Sequence, residues 1–366
     1  MENISTIVGL DVHKDTVVGA VLRPQADEAG EHFTVMNTTE NIRRMADKFV
    51  ARKPATFVYE AGPCGYELQR QLAEMGFQCV VISPGHTPVR PGDRVKTDRR
   101  DAVKLARLYR AGELTEIRIP NREEEAARDL VRVREDVVED RLRARHRMSK
   151  FLLRQGRVWR ETKSWGVAHG AWLRAQKFEA LFLQETHNAY VRTLDEVDAH
   201  LLELTKKVDD LAGEKPYRQL VVCLSGLKGI DTLGAVTLAV EAQEFGRFES
   251  ARDFMGYAGL SICEDSTGKR IRRGGLTKKG NAHIRRILGE AAWSYRSGGA
   301  GKPLLERRRR CPETVQRMAQ RAQDRLHRKF WRMVKRGKPS QVAVMAVARE
   351  LAGFVWAIAH EALKTV

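Results

Sequence analysis

No two of the five cysteines, Cys64, Cys79, Cys223, Cys263 and Cys311, form a CxxC pair. Such spacing supports neither a zinc site nor a disulfide framework, and buried, inert thiols are expected. No apolar run approaches the ~20 residues that cross a bilayer. The opening Met1-Glu2-Asn3-Ile4-Ser5 lacks the basic-then-apolar pattern of a signal peptide. A cytoplasmic protein without a membrane partner is therefore expected. The shortage with most consequence is of acid: 47 Asp and Glu face 65 Lys and Arg, a formal net charge of +18. An excess of that size makes a polyanion the first partner to consider. What is present argues for a folded chain, since charged residues make up 31% and hydrophobic ones 42%. At ~100–200 residues per domain, 366 residues predict two or three domains.

The first hundred residues read as strands Thr6–Val12, Thr16–Leu22 and Phe33–Met36, the first two joined by the short His13-Lys14-Asp15 link. A helix with Ile42, Met45, Ala46, Phe49 and Val50 at steps of three and four follows. Then come strand Thr56–Tyr59, helix Tyr66–Met75, strand Cys79–Ile82 and a helix opening at Asp98. Three strands in hairpin succession, then strands alternating with helices, predict a mixed sheet covered by helices, the element order of an RNase H-like fold.

That order gives meaning to four acids. Asp98 and Asp101, in Lys96-Thr97-Asp98-Arg99-Arg100-Asp101, share a helix face but alone read as an acidic helix start favoured by the dipole. Asp11 lies near the end of the first strand and Glu60 at the carboxyl end of the fourth, where open α/β sheets place their sites. Each of these two alone reads as a strand-end or helix-dipole acid. Together the four are expected to hold magnesium, two ions per site, for two-metal phosphodiester chemistry.

Further along, Leu130, Val133, Val137, Ala144, Met148 and Phe151 form one seam, with a skipped position at Asp140 or Arg141. Tyr190, Leu194, Val197, Leu201, Leu204, Val208 and Leu211 form a second, uninterrupted one. Seams of this kind predict a coiled coil, within one chain or between two, with dimerisation the natural use. Trp159, Trp165 and Trp172 stand among arginines between the seams and suit base stacking or simple packing. After Lys215-Pro216, the turn Gly226-Leu227-Lys228-Gly229 precedes an apolar helix, as in helix–hairpin–helix DNA binders or any tight helix–helix turn.

The basic excess gathers in the last third, in Lys269–Arg273, Lys278-Lys279, Arg285-Arg286, Arg307–Arg310 and a helical run through Arg317, Arg321, Arg325, Arg328 and Lys329. Cations expected to contact nucleic acid are Lys96, Arg99, Arg100, Lys228, Lys269, Arg270, Arg272, Arg273, Lys278, Lys279, Arg285 and Arg286. Ser266, in the turn Asp265-Ser266-Thr267-Gly268, offers a hydroxyl among cations that could attack a phosphodiester or simply be solvated.

With GLDVHK at Asp11, YEAGPCGY at Glu60, KTDRRDA at Asp98 and Asp101, LSGLKGI at Leu224 and YAGLSICEDSTGKRIRRGGLTKKGN from Tyr257, the chain resembles the DEDD transposases of the insertion-sequence-110 family. The resemblance covers nearly the whole chain. It implies a RuvC-like RNase H domain over residues 1–118, a coiled-coil dimerisation region over 119–214, and a mostly helical transposase domain over 215–366. It further implies Asp11, Glu60, Asp98 and Asp101 as the DEDD metal ligands and Ser266 as nucleophile, with Thr267 the alternative if the turn aligns one residue later. Partners implied are donor and target DNA, an element-encoded guide (bridge) RNA, and further copies of the chain in a tetramer whose active sites combine acids of one protomer with the serine of another. The implied activity is DNA strand cleavage and exchange through a phosphoserine link. The residues alone leave two other readings open. One is a junction-resolving endonuclease that uses the same acids and water; the other is a non-catalytic RNA- or DNA-binding scaffold.

Overall fold

The computed structural model describes residues 5–26, 28–52, 54–88, 97–161, 163–264, 267 and 272–364. Its contacts divide the chain into two compact units, Met1–Pro120 and Asn121–Val366.

In the first unit, β1 (Thr6–Val12), β2 (Thr16–Leu22) and β3 (Glu31–Met36) are followed by α1 (Thr39–Asp47), β4 (Ala55–Glu60), α2 (Glu67–Glu74), β5 (Gln78–Ile82) and α3 (Asp98–Arg110). The sheet runs β3-β2-β1-β4-β5. β1 pairs antiparallel with β2 and parallel with β4, and β4 pairs parallel with β5. This is the mixed sheet that hairpins followed by β-α alternation predict. Alternation along the strands sorts side chains between two faces. Val8, Leu10, Phe57 and Tyr59 bury one face with Ile42, Met45 and Leu72 from α1 and α2. Ile7, Val58 and Ile82 bury the other with Leu105 and Ala106 of α3. Beyond β5, Ile117 N–H donates to the Val81 carbonyl and Ser83 N–H to that of Thr115.

Gly9 is what allows α3 to lie on β1. A Cβ at that position would sit 2.0 Å from the Ala102 carbonyl oxygen and 2.8 Å from the Ala106 nitrogen. Only a residue without a side chain lets helix backbone meet strand backbone so closely.

The second unit opens with α4 (Arg122–Arg154), α5 (Val167–Arg174) and α6 (Leu181–Gly213). An Asn121–Glu124 capping box starts α4. Within the chain, α4 and α6 pack together through Val137, Leu201 and Leu204, with Leu130 and Val197 alongside. At the base of this pair, Ala127, Val131, Val208 and Ala212 join the core of the C-terminal helices, so packing is continuous across residue 214. At its tip, Met148, Phe151 and Leu173 gather Trp165 and Trp172. Trp159 and Trp172 are 5.5 Å apart, His169 stacks on Trp172, and Arg145 covers Trp165. These tryptophans pack against their own helical connection.

The remaining elements are α7 (Arg218–Ser225), α8 (Thr232–Ala242), α9 (Ala251–Tyr257), a small antiparallel pair β6 (Ile262–Glu264) and β7 (Arg273–Leu276), then α10 (Ala282–Trp293), α11 (Lys302–Arg309), α12 (Glu313–Lys335) and α13 (Ser340–Leu363). Among the described residues, α13 is the one helix long and apolar enough to cross a membrane, contrary to the sequence expectation of no such run. Its Val344, Val347, Leu351, Val355 and Ile358 are buried in the unit's core, against α7, α9, α10 and α12. An apolar circumference is what a helix surrounded by other helices requires. A buried ion-pair network ties α4 to this core. Glu241, 1% exposed, accepts two bonds from Arg132 (2.7 and 2.9 Å) and one from the Asn281 amide.

Candidate active site

The first unit brings its acids to one end of one sheet face. Ile7, Gly9 and Asp11 alternate toward α3, as do Val58 and Glu60 on the neighbouring parallel strand, where the final rung pairs Leu10 with Tyr59. The next residues on the two strands are Asp11 and Glu60. Above them, Thr97 caps α3, its hydroxyl accepting the Arg100 N–H, so Asp98 and Asp101 occupy the first turn. Acids there meet the positive end of the helix dipole.

His13 stands between two of these acids. Its Nε2 is 3.4 Å from Asp11 Oδ2 and 3.4 Å from Asp98 Oδ2. The imidazole is carried on a pinned turn. His13 N–H donates to the Thr16 carbonyl at 2.9 Å, and the Asn37 amide donates to the His13 carbonyl at 2.8 Å. Among the described residues, Asp11, His13 and Asp98 form a group whose ligand atoms lie within 4.8 Å of one another. Glu60 and Asp101 are outside that group. Glu60 Oε1 accepts the Thr87 hydroxyl at 2.8 Å, and its loop is tied back to β1 by the Cys64 thiol, 3.8 Å from the Val12 carbonyl. Tyr59 steadies the same loop by donating to the Gly65 carbonyl.

The donor set fits a divalent cation. Two carboxylates close together repel unless positive charge lies between them. Carboxylate oxygens suit magnesium or manganese, and an imidazole ligand tilts the set toward manganese and later metals. In the sequence alone His13 reads as part of the turn that links the first two strands. The signal was its position two residues beyond Asp11, on a hairpin that returns the chain to the same strand end.

Of the cations expected to meet nucleic acid, Arg99, Arg100, Arg272, Lys278 and Lys279 are exposed. Arg285 is half-buried and donates to the Ala258 carbonyl, and Arg286 pairs with Glu135 and Glu290. Lys228 departs from expectation. It is 7% exposed, and its ammonium donates to the carbonyls of Ser297 and Gly299, both at 2.5 Å, and to the Ser297 hydroxyl at 3.1 Å. Burial and the nearby Arg308 hold its pKa below the usual lysine value. All three protons are committed inside the protein, so Lys228 braces the turn instead of facing a phosphate. Arg308 braces the same turn by donating to the Gly226 carbonyl. Ser266, Lys96, Lys269 and Arg270 lie outside the described residues, as does the Arg273 side chain.

Residues 8–155 match a family model described as a transposase of the DEDD type, DEDD_Tnp_IS110, and residues 222–300 match one described as "Transposase IS116/IS110/IS902 family". The chain is also 41% identical, over 98% of its length and 89% of the relative's, to protein y4qE of Sinorhizobium fredii (strain NBRC 101917 / NGR234), whose name describes it as a transposase. The chain belongs to the IS110 family of transposases. It is similar as well to the transposase for insertion sequence element IS1533 of Leptospira borgpetersenii, at 34% identity over 88% of this chain and 95% of that one. A further relative is the transposase for insertion sequence element IS1328 of Yersinia enterocolitica, at 25% identity over 81% of this chain. In this transposase the matched N-terminal stretch contains Asp11, His13, Glu60, Asp98 and Asp101, and the second match contains Ser266.

Proposed function

We propose that this transposase cuts and rejoins DNA with two unlike groups: a divalent-metal site in the first unit and the Ser266 hydroxyl in the second. The observation that carries the metal half is the meeting of Asp11 and Asp98 at His13, with Glu60 beside Asp11 on the same sheet face. Asp11, Glu60, Asp98 and Asp101 would hold one or two magnesium ions, with His13 a further donor. Such ions, when bound, neutralise charge on a phosphate and stabilise a leaving oxygen. The protein's own part is positioning. Neighbouring strands fix Asp11 and Glu60, the Thr87 hydroxyl orients the Glu60 carboxylate, and Arg99 and Arg100 stand exposed beside the acids to meet backbone phosphates.

In the chemical step, Ser266 Oγ forms a bond to phosphorus as the bond from phosphorus to a deoxyribose oxygen breaks. The serine proton passes to water or a nearby base, and the departing oxygen takes one up. The phosphoserine ester conserves the bond, and attack by a strand hydroxyl reverses the step to join new ends. Support for this half is the resemblance of the Ser266 turn and its dense cations. The same resemblance supports sequence choice by a guide RNA paired with donor and target, and a tetramer with coiled-coil dimers in which acids and serine come from different protomers.

The test uses full-length protein, its flanking non-coding RNA, matched DNA duplexes and magnesium, with covalent adducts read on denaturing gels. The parent should give an adduct, Ser266→Ala none, and Asp11→Asn neither cleavage nor adduct. An adduct that survives in Ser266→Ala removes the serine from its role. Cleavage by the parent without any adduct selects the water-dependent endonuclease.

A further inference from the structure

A groove of about 640 Å³ in the second unit is lined by Arg321, Arg325, Arg328, Lys329 and Arg332 of α12 and by Glu350 of α13. We propose that it docks the phosphodiester backbone of duplex DNA without regard to base sequence. The proposal rests on DNA being the substrate of an IS110-family transposase, and on nothing in the metal site.

Three features of the groove support it. The first is spacing. Arg321, Arg325, Arg328 and Arg332 fall at i, i+4, i+7 and i+11, so one helix face presents them in a row. At 1.5 Å per residue the row is about 16 Å long. One strand of B-DNA carries a phosphate every ~3.4 Å along its axis, so up to about five phosphates lie within reach.

The second is uncompensated charge. Glu350 holds Arg325 and Lys329, the latter at 2.7 Å. Arg321, Arg328 and Arg332 are exposed and have no acidic partner among the described residues; Arg328 spends only its Nε, on the Asp324 carbonyl at 3.1 Å. A solvated helix face would alternate acids with these bases. Along α12 the only acids are Glu313 and Asp324.

The third is rigidity. The opposite face of α12 is anchored by buried Val315, Ala319, Ala322, Leu326 and Phe330, and Glu350 fixes two of the groove cations from across α13. A preorganised row of guanidinium groups loses little freedom on meeting phosphates.

The experiment measures binding of the full-length protein to a random-sequence 30-base-pair duplex by fluorescence anisotropy. Potassium chloride runs from 50 to 300 mM, with EDTA present so that cleavage plays no part. Each phosphate contact contributes about 0.9 to the slope of log K against log salt. The triple variant Arg321→Gln/Arg328→Gln/Arg332→Gln should therefore lose about 2.7 from that slope, and weaken binding most at low salt. A charge-matched control, Lys48→Gln/Arg192→Gln/Lys206→Gln, alters exposed cations elsewhere and should leave the slope within 1 of the parent. Glu350→Gln, which removes the groove's only acid, should tighten binding. An unchanged slope in the groove variant, with its melting temperature intact, overturns the proposal. Equal losses in groove variant and control also overturn it, since net charge alone would then be responsible. A slope loss seen with an RNA duplex and absent with DNA reassigns the groove to RNA and overturns the DNA assignment. Because EDTA silences the metal site, failure here is distinct from failure of the proposed chemistry.

Discussion

Replacing Gly9 with alanine tests whether the close approach of α3 to β1 builds the site. The new Cβ would lie 2.0 Å from the Ala102 carbonyl oxygen, and contacts under 3.0 Å are essentially never found in real structures. The helix must then withdraw by about 1 Å, and overpacking of this kind costs about 1–3 kcal/mol. Backbone sits on both sides of the clash, so no side-chain rotation relieves it, and the upper half of the range is expected. For a unit of this size that corresponds to roughly 8–12 °C in melting temperature. A second effect follows from geometry: Asp98 rides on α3 while Asp11 and His13 stay with the sheet. A shift of ~1 Å in a catalytic group costs on the order of 100-fold in rate. Calorimetry of the full-length protein reads the first effect, and strand cleavage of matched DNA, with manganese titration by electron paramagnetic resonance beside it, reads the second. Gly30→Ala, with open space around its Cβ position, is the control and should change neither. If Gly9→Ala melts with the parent and binds manganese equally well, close backbone contact is not what positions Asp98.

Three further outcomes are expected. Arg132→Ala should destabilise the second unit by about 3 kcal/mol in denaturant unfolding, because it leaves the Glu241 carboxylate buried without its cation. Lys228→Met should cost about 1–3 kcal/mol, since the Ser297 and Gly299 carbonyls lose a donor. It should leave the salt slope of DNA binding unchanged, and a lower slope would return Lys228 to the nucleic-acid surface. Acid should destabilise the second unit through Glu350 and Glu135. Burial pushes both carboxyls up, yet Lys329 and Arg325 for Glu350, and His283 and Arg286 for Glu135, hold them below the usual 4.5. A carboxyl depressed on folding contributes stability that is complete above its unfolded pKa. That stability disappears as pH falls below about 4.5 toward the folded values. Melting temperature from pH 7 to 3 should fall in that window, and Glu350→Gln should flatten the fall; an equal fall in the variant would refute its share.

The sheet was legible because its signal is local. Strands β1, β2, β4 and β5 alternate or run apolar between turn residues, and their order puts Asp11 and Glu60 at strand ends; the parallel pairing of β1 with β4 then makes those ends neighbours. Three features were not legible, each for want of tertiary information. His13 reads as a polar turn residue until Asn37, two strands away in the chain, fixes its backbone against the acids. Lys228 in a Gly-x-x-Gly turn has the same spelling whether its ammonium faces a phosphate or a cage of carbonyls, and only the placement of Ser297 and Gly299 decides. The seams of α4 and α6 predict a coiled coil within one chain or between two, but heptads can neither choose between these nor say that the bases of the helices merge with α7–α13 through Val131 and Val208.

The short stretch at Thr115–Ile117 has a consequence for dissecting the molecule. An edge strand as apolar as Cys79-Val80-Val81-Ile82 would recruit a strand from another chain if left open. Here the bonds from Ser83 to Thr115 and from Ile117 to Val81 cap its carboxyl end. A fragment of the first unit must therefore run to Pro120. Cut after α3 at residue 112, it would keep its acids and helices but expose a sticky border, and would pair with copies of itself before it could be studied as a metal-binding domain.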